Sequence, residues 1–228
     1  MFPLIAADMS ADLRKRDDAT AVALSRGKPE RAGDVEYRQG GLAAAAAAAG
    51  SYVRTVPYRP REPPSTLGEL VKLSEVICIG VAYSNRSYLV QQGRSISMVL
   101  EVHCSDVLKG TLERPMVNIV IPGGRVAFGQ AIAEVKVLDF PLPTMNSRTV
   151  WFLQRAAAEN ATLPRTDNTN STMFEPSSGP LAIYDLELKR VRPNGASRTR
   201  LAKRITAQRL SGITFVDAVR TAIQRPVG

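Results

Sequence analysis

From Ile96 to Cys104 the chain alternates. Ile96, Met98, Leu100, Val102 and Cys104 are apolar, while Ser95, Ser97, Glu101, His103 and Ser105 are polar, with Val99 the exception. A period of two predicts a strand over Ser95–Asp106 with one dry and one wet face. Leu108-Lys109-Gly110 breaks the pattern. Met116–Ile121 resumes it, with Val117, Ile119 and Ile121 inward, and ends in Pro122-Gly123-Gly124. Val76–Ala82 (VICIGVA) is a continuous apolar run, long enough for a strand and short for a helix, which predicts dry contact on both faces. Gly80 inside it predicts a bulge or bend.

Further along, Tyr83–Gly93 reads as a connection with a polar tip at Gln91-Gln92-Gly93. Arg148–Leu153 (RTVWFL) predicts a strand carrying the only tryptophan. Leu181–Val191 predicts the last one, with a bulge near Tyr184-Asp185, where the inward set passes from Leu181 and Ile183 to Leu186 and Leu188. Residues 125–141 stay ambiguous, since Val135 and Val137 alternate with Glu134 and Lys136 as an edge strand would.

Two helices frame these strands. Thr66-Leu67-Gly68-Glu69 has capping-box spacing, with Leu67, Leu70, Val71 and Ser74 on one face. Near the end, Thr214 is placed to cap a helix with the apolar stripe Phe215, Val219, Ala222 and Ile223, closed by Pro226. Arg220 and Arg225 sit toward its C-terminal end, favourably for the helix dipole. Pro193-Asn194-Gly195 is a turn. The expected fold is mainly β, with about half a dozen short strands around one interior and terminal helices as lids.

Residues 1–64 read as a poorly structured, low-complexity segment. Ala43–Ala49 has helical leanings and, following Arg31 and Arg38, a faint likeness to an export signal. Pro60, Pro63 and Pro64 deny strand pairing just before Thr66. The expected division is 1–64, an ordered β domain over 65–192, and a basic tail with a helix over 193–228.

Charge sharpens that division. The net +9 is distributed as +2 over 1–67, −2 over 68–188 and +9 over 189–228. The tail holds Arg190, Arg192, Arg198, Arg200, Lys203, Arg204 and Arg209 with no acid between them. Such density suits a phosphate backbone or an anionic surface, although a solvated linker and helix has the same composition. No window approaches the roughly 18 apolar residues that a membrane span needs. Cys78 and Cys104 fall in predicted strands and could face each other across a hairpin. A pair of buried thiols acting as small hydrophobes is the favoured reading over a bridge.

Five stretches together carry a family likeness: Leu67–Val81, Val107–Gly110, Ile121–Gly124, Val150–Leu153 and Ile213–Ile223. They resemble a group of bacterial proteins without assigned activity, many of them exported, which look like small OB-type β-barrels. Those in turn are distantly similar to the netrin-like domain of tissue inhibitors of metalloproteinases. The resemblance spans roughly 65–220. It implies a five- to six-stranded OB-like antiparallel barrel with a short N-terminal helix and a C-terminal helix, in a periplasmic or extracellular setting. It does not carry over protease inhibition. The inhibitors' N-terminal Cys-x-Cys has no counterpart here, because both cysteines are interior to strands.

A search for chemistry yields little. His103 and Glu101 share a strand face but fall short of the three or four ligands of a zinc site. Asp185 and Glu187, at i and i+2, have the spacing of a carboxylate pair, and a solvent-facing strand edge has it equally. Pro122-Gly123-Gly124-Arg125 lacks a following helix to make it a phosphate cradle. There is no G-x-S-x-G elbow, H-E-x-x-H or P-loop. The expectation is therefore a non-enzymatic binding module with no cofactor, meeting a protein partner through the long polar segment Gln154–Pro180. The alternative is a nucleic-acid-binding domain using the basic tail.

Overall fold

The computed structural model describes residues 31–58, 63–140, 142–157, 163, 172–186, 192–193, 199–208 and 210–224. The molecule is mainly β. In chain order its elements are α1 (Asp34–Ala49), β1 (Ser51–Pro57), α2 (Leu67–Leu73), β2 (Val76–Val90), β3 (Ser95–Lys109), β4 (Met116–Pro122), β5 (Gly124–Phe128) and β6 (Ala131–Leu138). There follow β7 (Arg148–Arg155), β8 (Met173–Pro176), a 3-10 turn (Gly179–Ala182), β9 (Ile183–Asp185), β10 (Arg192–Pro193), α3 (Arg200–Gln208) and α4 (Gly212–Gln224).

The larger sheet runs β10-β9-β7-β2-β3-β4-β8. Strand β8 lies parallel to β4 at Asn118 and Ile119, and antiparallel to β7 at Leu153–Arg155. The hydrogen-bonded path through β7, β2, β3, β4 and β8 thus returns to β7. The apolar run at Val76–Ala82 follows from its position in this path. Val76, Cys78 and Ala82 face an inner cluster with Leu100, Val102, Ile119, Trp151 and Leu153. Ile77 and Ile79 face an outer one with Val150, Phe152, Tyr184, Leu70, Leu201, Ile205 and Phe215. A strand covered on both sides has no use for alternation.

Helix α2 starts as expected: the Glu69 amide donates to Thr66 Oγ1 at 3.1 Å, and Glu69 reaches back to accept from the Ser65 amide at 2.7 Å. At its other end Lys109 Nζ donates to the carbonyls of Val71 (2.7 Å) and Ser74 (2.5 Å), a cation at the negative end of the helix dipole. Helix α4 begins earlier than the sequence suggests. Ser211, not Thr214, is its cap, its hydroxyl accepting from the Thr214 amide at 3.3 Å. Phe215 and Val219 are buried as expected, and Val216 joins them.

Several expectations need correction. Tyr83–Val90 is not a connection but the second half of β2, paired with β3 along its length. The turn is confined to Gln91, Gln92 and Gly93, all at positive φ. Residues 131–138 form not an edge but the centre of a second sheet, β1-β6-β5, whose β1 runs parallel to β6. Ordered structure therefore begins upstream of Thr66. Helix α1 lays Leu42, Ala45 and Ala46 on Tyr52, Ala133, Val135 and Ile96; small side chains let it approach closely. Residues 1–30 lie outside the described residues. Among the described residues of the last predicted strand, Ile183–Asp185 form β9, which starts later than expected because Gly179 and Pro180 open a 3-10 turn that takes up Leu181. Glu187–Val191, Asn194, Gly195 and Arg225 lie outside the described residues.

The cysteines also depart from the favoured reading. Cys78 and Cys104 are joined by a disulfide, with Cα atoms 5.8 Å apart. They are not opposite in the ladder, where Cys78 faces Val107 and Gly80 faces Cys104, so the bond runs diagonally between the two strands. The expected irregularity at Gly80 is present as a register shift between Ile79 and Gly80.

Candidate functional site: the basic face of α3

Of the basic-tail residues, Arg200, Lys203 and Arg204 fall on a helix, α3, which the sequence did not announce. Thr199 starts it, its hydroxyl accepting from the Ala202 amide at 3.1 Å. Spacing then sorts the side chains. Leu201, Ala202 and Ile205 are buried, and Leu201 and Ile205 pack into the cluster around Tyr184 and Phe215. Arg200, Lys203 and Arg204, at i, i+3 and i+4, are exposed together on the opposite side. No acid lies on α3 itself, and among the described residues none forms an ion pair with these three. Arg192 pairs through its backbone with Asp185, in β10 beside β9. Arg190, Arg198 and Arg209 lie outside the described residues.

The neighbouring helix is electrostatically different. Arg220 of α4 binds Asp106 at 3.2 Å and Asp217 at 3.8 Å, so its charge is engaged at home. Beside it an open depression of about 450 Å³ has an apolar floor of Ile79, Leu186, Ile213 and Val216. A second depression, about 400 Å³, lies at the β3–β4 turn, over Val76, Met116 and Phe174, with the Glu75–Arg155 ion pair at its rim.

The other sequence candidates are dispersed. His103 sits partly exposed on β3 beside Tyr83, their rings 6.4 Å apart. Glu101 accepts from Ser84 Oγ at 2.8 Å. Neither lines either depression. Asp185 accepts from Ser147 Oγ at 3.3 Å, and Glu187 lies outside the described residues. Among the described residues no three His, Cys, Asp or Glu side chains are grouped to hold a metal. Gly123 and Gly124 adopt positive φ, and the chain leaves them as β5 rather than as a helix. In the segment 154–180, β8 is part of the larger sheet. Ala156 and Leu163 pack on Val99, Val120 and Met173, which accounts for the one apolar residue on the polar face of β3. No described helix is long and apolar enough to cross a membrane.

Comparison with models of protein families, with curated proteins and with solved structures gave no match.

Proposed function

We propose that the chain is a non-enzymatic binding module built on an OB-like five-stranded barrel, acting in a periplasmic or extracellular setting. The observation that carries this reading is the strand circuit. Numbered from β2, the five strands are joined in the order 1-2-3-5-4-1, with one parallel contact between the third and fifth. That order supports an OB-like reading, and OB barrels serve widely as recognition scaffolds. The Cys78–Cys104 disulfide supports the setting, since such bonds persist where the surroundings are oxidising. The contact surface in this reading is the part of the segment 154–180 that does not enter the sheet. Replacing residues 164–171 with a short Gly/Ser linker leaves Leu163 to pack on Val99, Val120 and Met173 and keeps β7 and β8 in place. The reading expects capture of a partner from an envelope extract to be lost while the circular dichroism spectrum is retained; unchanged capture overturns that placement.

The outward cations of α3 support a second reading, a nucleic-acid-binding domain. Because the apolar side of α3 is spent on the chain's own core, charge is what its outer face has to offer. Binding of an oligonucleotide, followed by fluorescence anisotropy, should then weaken steeply with salt. R200A/K203A/R204A should lower the slope of log K against log salt by about 2–3 on duplex DNA, near 0.9 per lost phosphate contact. No binding at low salt removes this reading.

A further inference from the structure

Strand β1 is the outer strand of the second sheet, and its hydrogen-bonding alternates along the strand. Its even residues face β6: the Gly50 carbonyl accepts from Ile132 at 3.1 Å, and the Tyr58 amide donates to Leu138 at the far end. In a parallel ladder this phase turns the amides and carbonyls of the odd residues away from β6. Ser51, Val53 and Thr55 are those residues, all three are exposed, and among the described residues no strand pairs with them. The opposite edge of the sheet differs, because β5 packs there against the β2–β3 hairpin, the Arg125 amide donating to Ser87 Oγ at 3.2 Å.

We infer that this edge of β1 pairs with β1 of a second copy of the chain, antiparallel about a two-fold axis at Val53, making one continuous six-stranded sheet. The register is self-complementary. With Val53 opposite its own counterpart, Ser51 of each copy faces Thr55 of the other. These pairs are the ones whose amides and carbonyls point outward, so each exchanges two hydrogen bonds. Charge agrees with the register, since Arg54 of one copy stands opposite Tyr52 of the other and no like charges meet. The pairing also has a natural end, because Pro57 has no N–H to give. A left-open edge of small and β-branched residues is a template for another strand, and an isologous pairing consumes it completely.

The full chain should therefore be a dimer by size-exclusion chromatography with light scattering. S51K/T55K sets two ammonium groups opposite each other at both flanking pairs and should yield a monomer. S51E/T55K sets opposite charges there and should restore the dimer. All three proteins should share one circular dichroism spectrum, and each should unfold in a single cooperative transition, the dimers at a higher and concentration-dependent midpoint. A monomeric parent chain, or a dimer indifferent to both double substitutions, overturns the inference. So does a monomer whose Val53 amide gains exchange protection only when a foreign extended peptide is added.

Discussion

The amide of Leu42 donates to the carbonyl of Gly93 at 2.9 Å, fastening the middle of α1 to the tip of the β2–β3 hairpin. The bond exists because α1 is broken one residue earlier. Gly41 has φ 74° and ψ −158°, a conformation open essentially to glycine alone, and this frees the Leu42 amide from its helical acceptor. A Cβ on Gly41 would come within 2.7 Å of the Gly93 oxygen. G41A should therefore cost about 2–3 kcal/mol, from backbone strain together with the lost approach. Amide exchange at Leu42 should accelerate in step. Gly68, in the first turn of α2 with open space around it, is the control. G68A should leave stability unchanged or raise it by up to about 1 kcal/mol. Equal denaturation midpoints for G41A and the parent would contradict the account.

The disulfide closes a loop of 26 residues between adjacent strands. Constraint of the unfolded chain by a loop of that size is worth about 3–4 kcal/mol. C78A/C104A should unfold at correspondingly lower denaturant, with part of the loss due to the two small cavities its alanines leave. Because both cysteines are buried, a mild reductant should act on the native protein only as fast as the protein opens. A reduction rate above the opened fraction multiplied by the rate for the unfolded chain would show a bond more accessible than its surroundings allow.

Tyr184 is fully buried between Phe152 and Phe215, its ring centroid 4.6 Å from that of Phe215, and its hydroxyl has no hydrogen-bond partner among the described residues. Burial pushes its phenol well above the ordinary value of 10.0. Burial does the same to Tyr52, helped by its bond to Asp34. For such groups the folded state holds its proton after the unfolded chain has lost it. Their share of stability is thus complete below pH 10 and drains away as pH rises further. Y184F should make unfolding less sensitive to pH above 10 and should raise stability at neutral pH by about 1 kcal/mol, because it deletes an unsatisfied polar atom. A marked loss of stability in Y184F would mean that the hydroxyl is held by something.

How much of this could be read from residues alone varies with the range of the forces involved. Strands β3, β4 and β7 were legible because their sequences carry a local apolar signal, alternation in β3 and short β-branched or aromatic runs in β4 and β7, and α2 because Thr66 and Glu69 form its cap within one turn. The second half of β2 was not: Ser84, Asn85, Arg86 and Ser87 look like loop residues, and the pairing with β3 decides otherwise. Strand β1 and helix α1 were hidden for a related reason, since their partners in β6 lie far along the chain and alanine announces no burial. At the candidate site the positive charge was plain. That Arg200, Lys203 and Arg204 share one side depends on Leu201 and Ile205, the two large apolar side chains in nine residues, too few to declare a helix against so many cations.

The parallel union of β1 with β6 sets a timetable. Ser51 must wait for Ile132, because among the described residues β6 is the strand that β1 joins. Closing so wide a loop is slow compared with the β2–β3 hairpin, whose strands are neighbours in the chain. The part of this domain that leaves the ribosome first is thus among the last to settle, and any factor that greets the nascent chain meets those residues before they have found their place.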